Sequence, residues 1–397
     1  MADRAAAIVL GAGIAGAAVS FHLAQRSFGP VLLADPRTPA AGATGRAAGI
    51  VTEQLWDRWD VGAVRASREE YAALAARHDP NAYRTNGFVR WTSGVEAAAS
   101  LRAAVERLRA WGVPVRTVGP AELARLLPRV RTEGVLEASY CADDGVVTPS
   151  TITEIYVERS RAMGVETEIG EPIRDVHRDG ADWEVRVGER TVRSATLVVA
   201  AGAWSKRLLA GIGHPVPLAP YRTQAALLRP PGPPEGDFPS AHDIDLDVYV
   251  RPEDHGRILA GDGTRLVEVD PDTAPPGGDD EFVAHVAESF ADRFPGWADA
   301  ELVHAWAGVC ASTPDRRPLI GPVPGATGLY CICGFNGFGV MRAGGAARQL
   351  AALIASGGGD RERVELASVA PGRFGPRPAP FAPRPGFTLE DGENPRF

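Results

Sequence analysis

A chain of 397 residues that is 45% hydrophobic, 23% charged and 7% aromatic has the composition of a folded globular protein, with length for two domains. A formal charge of −8 argues against the basic surface a nucleic-acid binder needs, and four cysteines are too few for a disulfide framework in a chain this long. The Cys331-x-Cys333 spacing does not suit zinc. No metal is expected, and a reduced, cytoplasmic protein, monomeric or homodimeric, is the default reading. Of 42 basic residues only Lys206 is lysine.

Ala5 to Val19 is almost wholly apolar, yet it is too short to cross a bilayer, carries three glycines and runs into His22, Gln25 and Arg26. No membrane partner is expected. Within it, Ala6 to Leu10 reads as a buried parallel strand. Gly11-Ala12-Gly13-Ile14-Ala15-Gly16 follows, then a helix to about Ser27 and a second apolar strand, Val31 to Ala34, ended by Asp35-Pro36-Arg37. The acid lies 19 positions after the third glycine, completing a dinucleotide-binding βαβ unit. Gly11 permits the tight turn, Gly13 the close approach of a pyrophosphate, and Gly16 the packing of helix on strand. The helix N-terminus offers N–H groups to phosphate, and Asp35 can accept from ribose hydroxyls.

Helices are expected at Glu69 to Arg77 and Ala97 to Trp111. A hairpin (Trp183 to Val187, Thr191 to Arg193) should feed the apolar strand Ala195 to Ala200, and Arg229 to Pro239 reads as a Pro-rich surface loop. A second hairpin pairs Val248 to Arg251 with Arg257 to Ala260. Gly328 to Cys333 reads as a strand, and a helix starting at Gly337 or Gly339 runs to about Ala355. Val369 to Phe397, with seven prolines, reads as an extended tail wrapping the surface.

Three more glycine clusters follow the first: Gly42-Ala43-Thr44-Gly45-Arg46-Ala47-Ala48-Gly49-Ile50, the turn Ala200-Ala201-Gly202-Ala203-Trp204, and Gly334-Phe335-Asn336-Gly337-Phe338-Gly339 behind Thr313-Pro314-Asp315. In this order and spacing they resemble the D-amino-acid oxidase superfamily of FAD-dependent oxidoreductases, with its glycine oxidase and sarcosine oxidase branches, over roughly residues 5 to 355. The resemblance implies an α/β fold: a discontinuous Rossmann-like FAD-binding domain (about 1–85, 145–215 and 316–365), an antiparallel β-sheet substrate domain with helices (86–144 and 216–315), and a tail (366–397). It also implies that Val176 borders the dinucleotide, and that Gly334 to Gly339 with Val340 and Met341 set a helix N-terminus at the flavin, where fixed N–H dipoles favour the negative charge of reduction.

The chain departs from that pattern where it bears on substrate. Where the sarcosine- and glycine-oxidase branches hold a substrate carboxylate with Arg or Lys, it has Thr52-Glu53-Gln54, Cys310 and Met341. The expected substrate is therefore an amine within a larger or cationic molecule, with Glu53 a candidate partner. Arg46, Arg58, Arg316 and Arg342 are alternatives for a displaced clamp. Gly308 stands where a flavin-linking cysteine would, so FAD is expected to be non-covalent, with Cys310 the alternative linker. Tyr249 matches a substrate-facing tyrosine. Asp247 shares its face, and Asp262 stands at a position held by histidine in sarcosine oxidases. His242, His255 and His304 are further candidate bases, and Trp306 is either pocket wall or core. The position of the oxygen-activating lysine is taken by Ile258.

The resemblance implies hydride transfer from the carbon beside a neutral amine to flavin N5, giving an imine, with O2 or another acceptor reoxidising the flavin. Alternatives are C–C or C–O oxidation on the same scaffold, a flavin subunit of a heteromeric amine or amino-acid dehydrogenase, and an NAD-only enzyme.

Overall fold

The computed structural model describes residues 3–232, 238–262, 268–375 and 381. The apolar strands at the start of the chain are buried on both faces because they lie inside a six-stranded sheet. Its order is Glu166–Ile169, Val31–Asp35, Ala7–Leu10, Leu197–Val199, Leu329–Cys333 and Leu319–Pro322. Every pair in it is parallel except the last. Helix Ile14–Gln25 covers one face together with Arg58–His78, Pro149–Ala162 and Gly339–Ala355. On the other face lies a four-stranded layer, Asp3–Arg4, Arg190–Ser194, Asp182–Val187 and Ile173–Asp179.

A second, eight-stranded sheet forms a roof. In order it comprises Glu301–Ser312, Ala219–Arg229, Arg257–Asp262, Val248–Glu253, Ser240–Asp243, Phe88–Thr92, Glu137–Cys141 and Val115–Thr117. It is antiparallel apart from the parallel pair of Ser240–Asp243 with Phe88–Thr92. Its outer face packs on helix Asp280–Arg293 through Phe282, Val286 and Phe290. Among the described residues no helix is long and apolar enough to cross a membrane.

Most expected elements are present, with bounds shifted by a few residues. The helix expected at Glu69 to Arg77 begins eleven residues earlier, because Asp57 caps it by accepting from the Asp60 N–H at 2.9 Å. The helices Pro149–Ala162 and Asp280–Arg293 were not among the expectations. The start of the C-terminal tail is docked: Ile320 N–H donates to the Val369 carbonyl (2.9 Å), and Arg373 grips Asp315 through two nitrogens (2.7 and 2.9 Å). The rest of that tail, apart from Gly375 and Phe381, lies outside the described residues, as does the middle of the loop expected at Arg229 to Pro239.

Helices Arg58–His78 and Gly339–Ala355 approach so closely that a Cβ on Gly345 would collide with the Ala63 carbonyl oxygen. Backbone cannot yield as a flexible side chain can. Gly345→Val should therefore lower stability by roughly 1–3 kcal/mol, read as a fall in the midpoint of chemical denaturation; an unchanged midpoint would show that the helices can separate freely.

Candidate active site

The glycine turns, far apart in sequence, meet at one cleft of about 980 Å³ between the six-stranded sheet and the roof. At one end, strand Ala7–Leu10 stops at Gly11, whose φ of 114° and proximity to the Ala200 carbonyl exclude any side chain. A Cβ at Gly16 would strike the Gly11 carbonyl oxygen, so this glycine brings helix Ile14–Gln25 onto the strand rather than lining the cleft. The helix has no side-chain N-cap and no acid in its first turn, and Gly13, Ile14 and Ala15 face the cleft. Thr44 Oγ1 accepts from Ile14 N–H (3.2 Å). The result is a helix N-terminus suited to an anion.

Asp35 accepts the N–H groups of Ala12 (2.7 Å) and Arg37 (2.8 Å), which hold its carboxylate at the cleft edge. The Arg37 guanidinium lies over the Trp204 ring, 4.2 Å from its centroid. Trp204 Nε1 donates to Asp272 (2.6 Å), which also pairs with Arg207. Pro36, Arg46, Ala48, Gly49, Ile50, Val176, Ala201 and Gly202 line this side, whereas Gly45 lies behind it against the Ala40 carbonyl.

At the other end the loop Gly334 to Gly339 reaches the cleft, followed by Val340 and Met341. It is organised by Arg342, 1% exposed, whose guanidinium pairs with buried Asp60 and donates to the carbonyls of Phe335 (2.5 Å) and Phe338 (3.2 Å). Asn336 takes a left-handed conformation (φ 52°), and among the described residues its buried Oδ1 has no hydrogen-bond partner. Phe338 packs edge-on against Trp56.

The roof presents one cross-strand row to the cleft. Its register runs Ala225, Gly261, Tyr249, His242, Arg90, Ser139, of which Ala225, Tyr249, His242 and Arg90 line the cleft. The Tyr249 phenol leans over Gly261, where a Cβ would collide with it, and burial pushes its pKa up. His242 Nε2 lies 3.1 Å from Asp247 Oδ1, and Asp247 sits in a left-handed conformation (φ 53°). Asp262, Gly308 and Cys310 also line the cleft. The Cys310 thiol is pushed up to about 11 by burial and stays protonated at neutral pH.

Several sequence expectations are corrected. Glu53 does not face the cleft: it is 1% exposed, and its carboxylate meets Arg65 (2.7 Å) and Arg68 (3.0 Å) on the far side. Arg58 is exposed and Arg342 is locked to Asp60, so neither reaches a substrate. Arg46 donates to the carbonyls of Ala41 and Gly42. Ile258 is buried in the core beyond the roof, and Lys206 pairs with Glu268 away from the cleft. Trp306 donates to the Arg46 carbonyl (3.0 Å) and stacks on His304; neither lines the cleft, nor does His255. Arg90 was not anticipated. A lone charge in the apolar run Phe88-Val89-Arg90-Trp91-Thr92 was its only signal.

The family model for FAD dependent oxidoreductase, DAO, matches residues 6–353. The chain belongs to the DAO family of FAD-dependent oxidoreductases. It is 24% identical to dimethylglycine dehydrogenase of Rattus norvegicus over 94% of its own length, spanning only 45% of that protein. It is also 24% identical to glycine oxidase of Geobacillus kaustophilus, covering 86% of this chain and 90% of the relative. Among solved structures, L-proline dehydrogenase from P. horikoshii superposes with a TM-score of 0.86 at 24% identity, covering 94% of this chain and 98% of that one. Iminodiacetate oxidase from Chelativorans sp. BNC1 gives 0.79 at 22% identity, covering 92% and 98%.

The residues present fit FAD. The uncapped helix N-terminus suits the pyrophosphate, Asp35 stands where ribose hydroxyls would reach it, and the orphaned Asn336 amide gives a flat polar ring a hydrogen-bonding edge.

Behind the cleft wall, fully buried Asp144 accepts from Thr52 Oγ1 (2.6 Å), Glu53 N–H (2.9 Å) and Gln54 Nε2 (3.5 Å). Burial pushes its carboxyl from 3.8 up to about 7 against the pull of these donors. The folded state therefore binds a proton that the unfolded state has released, and stability is lost as pH rises from about 4 through 7. Asp144→Asn should flatten this decline, measured by denaturation at pH 5 and pH 7.5; a variant that loses as much stability as its parent over that interval would contradict the assignment.

Proposed function

We propose that this protein oxidises a carbon–nitrogen single bond of a small amine to the imine, using non-covalently bound FAD. What supports this most directly is the roof, whose cross-strand row sets Tyr249 and His242, with Asp262 beside them, over the same cleft that the glycine loop enters from the opposite side. The proteins named above that this chain resembles carry names of amine or amino-acid oxidation.

Bound FAD supplies a two-electron acceptor for the hydride lost by the substrate. The rest of the work falls to the chain. The amine must be neutral at the moment of oxidation, so its proton needs a path away from nitrogen. The His242–Asp247 pair offers an acceptor for it at the cleft surface. The Tyr249 hydroxyl, kept as a neutral phenol, can donate to the substrate while its ring excludes water above Gly261. Orientation of the reacting C–H is the main contribution of such a site. Gly308 has no side chain with which to bond a flavin, and the protonated Cys310 beside Tyr221 is a poor nucleophile, which favours a dissociable cofactor. Three cleft-side positions without a basic residue (the Thr52 segment, Cys310 and Met341) support a substrate held otherwise than glycine or sarcosine. O2 or another acceptor completes the cycle.

The test is anaerobic mixing of the yellow holoprotein with a panel of primary, secondary and tertiary amines and of hydroxy acids. Amines should bleach the flavin, and Tyr249→Phe should slow bleaching by about tenfold, the equivalent of one hydrogen bond lost in the transition state. Bleaching by hydroxy acids with inert amines would move the chemistry to a C–O bond. Acid precipitation should leave a white pellet and a yellow supernatant; a yellow pellet would show a covalent link.

A further inference from the structure

We infer that the segment Glu268 to Asp279 is a strap that closes the cleft at the adenosine end of FAD, with Asp272 as its releasable catch. The inference goes beyond the reaction assigned above; of that reading it needs only a cofactor that dissociates.

In the chain the segment lies between strand Arg257–Asp262 of the roof and helix Asp280–Arg293. Its first half reaches the FAD-binding half of the molecule. Val269 N–H donates to the Pro220 carbonyl (2.9 Å), and Glu268 pairs with Lys206. The turn Asp270 to Thr273 then carries the Asp272 carboxylate to Trp204 Nε1 (2.6 Å) and Arg207 (2.5 Å). The second half is fastened to the roof. Arg222 donates to the carbonyls of Pro275 (3.0 Å) and Gly277 and pairs with Asp279 (2.5 Å). Ala307 N–H donates to the Pro276 carbonyl (2.7 Å), and Gly278 N–H to that of Ala305 (3.2 Å).

The two halves differ in how firmly they are held. The Arg222 side chain is only 12% exposed, and it binds backbone carbonyls as well as a carboxylate. The side chains of Arg207 and Asp272 are 68% and 45% exposed, where water and salt weaken an ion pair. Local opening starts where contacts are fewest and most exposed to solvent. The Asp272 contact is therefore the one that parts first, with the Arg222 cluster as the anchor from which the strap lifts.

The catch sits at the end of the cleft that Asp35 marks for the adenosine. Asp272, Trp204 and Arg207 line the cleft together with Asp35 and Arg37, and Arg37 lies over the Trp204 ring. The indole is thus held by its nitrogen from the strap and by its face from Arg37, so three segments far apart in sequence meet there. The hydrogen bonds from Trp204 and Arg207 hold the Asp272 carboxyl below the usual carboxylate range, which keeps it charged at neutral pH. At the other end of the cleft the glycine loop is fixed by the buried Arg342–Asp60 pair, a far costlier contact to break. Adenosine takes no part in the redox chemistry. A catch there governs how long the cofactor stays and leaves the electronics of the flavin ring alone.

The test follows FAD release from diluted holoprotein by the rise in free-flavin fluorescence. Asp272→Ala should speed release about tenfold, the loss of one ion pair and one charge-assisted hydrogen bond. Asp272→Asn, which keeps an acceptor for Trp204 and loses the charge, should fall between that variant and the parent. Arg207→Gln should also speed release. Raising salt from about 0.1 M to about 1 M should speed release from the parent more than from Asp272→Ala. The visible spectrum and reduction potential of the bound flavin should stay those of the parent in every variant. Glu301→Gln, which breaks an exposed pair with Arg229 outside the cleft, should release FAD at the parent rate. Release unchanged in both Asp272→Ala and Arg207→Gln would overturn the proposal. So would an equal fall in the denaturation midpoint of apoprotein and holoprotein, which would assign the contact to folding rather than to retention. A flavin that precipitates with the protein in acid would remove the dissociable cofactor and the strap's task together. Faster release from the variants of a protein that oxidises no amine would uphold the strap and remove the reaction assigned above.

Discussion

The structure depends on a point where three stretches of backbone nearly touch: the carbonyl of Gly11, the first turn of helix Ile14–Gln25 at Gly16, and the Ala200 carbonyl. Nothing larger than hydrogen fits at Gly11 or Gly16. Because helix and strand close so tightly there, the leading N–H groups of the helix are delivered to the cleft instead of being buried beneath a cap. The same approach fixes the end of strand Ala7–Leu10 beside that of Leu197–Val199, which brings the Ala200 to Trp204 turn to the end of the cleft that holds Asp35 and Arg37.

The opposite end of the cleft is held by charge rather than by contact. The Arg342–Asp60 pair lies between two helices with both side chains almost wholly buried. Such a pair rarely adds much stability, since desolvation offsets its attraction. Its value here is directional: the same guanidinium donates to the carbonyls of Phe335 and Phe338, which bracket the left-handed Asn336 and Gly337. A loop that turns its N–H groups toward a ligand must turn carbonyls elsewhere, and Arg342 is where they go.

The glycine turns and the first βαβ unit were legible because each glycine answers a local steric demand written into its neighbours. The hairpin of Val248 to Arg251 with Arg257 to Ala260 was legible in the same way, and the rest of the antiparallel roof only through the family resemblance. What sequence could not show was direction. Glu53 and Thr52 are neighbours on one short segment, yet Thr52 lines the cleft while Glu53 turns to Arg65 and Arg68 on a helix whose start had been placed too late. Arg90 was hidden for the converse reason. In a strand paired on both sides, one polar residue reads as an irregularity until the register sets it beside His242 and Tyr249. The parallel pairing of Ser240–Asp243 with Phe88–Thr92, which creates that register, joins segments some 150 residues apart and leaves no local mark.

The near-absence of lysine acquires a chemical meaning in this setting. Imines hydrolyse to aldehydes and ketones, and these condense with free amino groups but scarcely with guanidinium ions at neutral pH. Under the reaction proposed above, such carbonyls would be released beside a chain with a single lysine, held against Glu268, and would meet one side-chain amine able to condense with them. Arginine can carry the positive charge of its surface without making that surface a trap for reactive carbonyls.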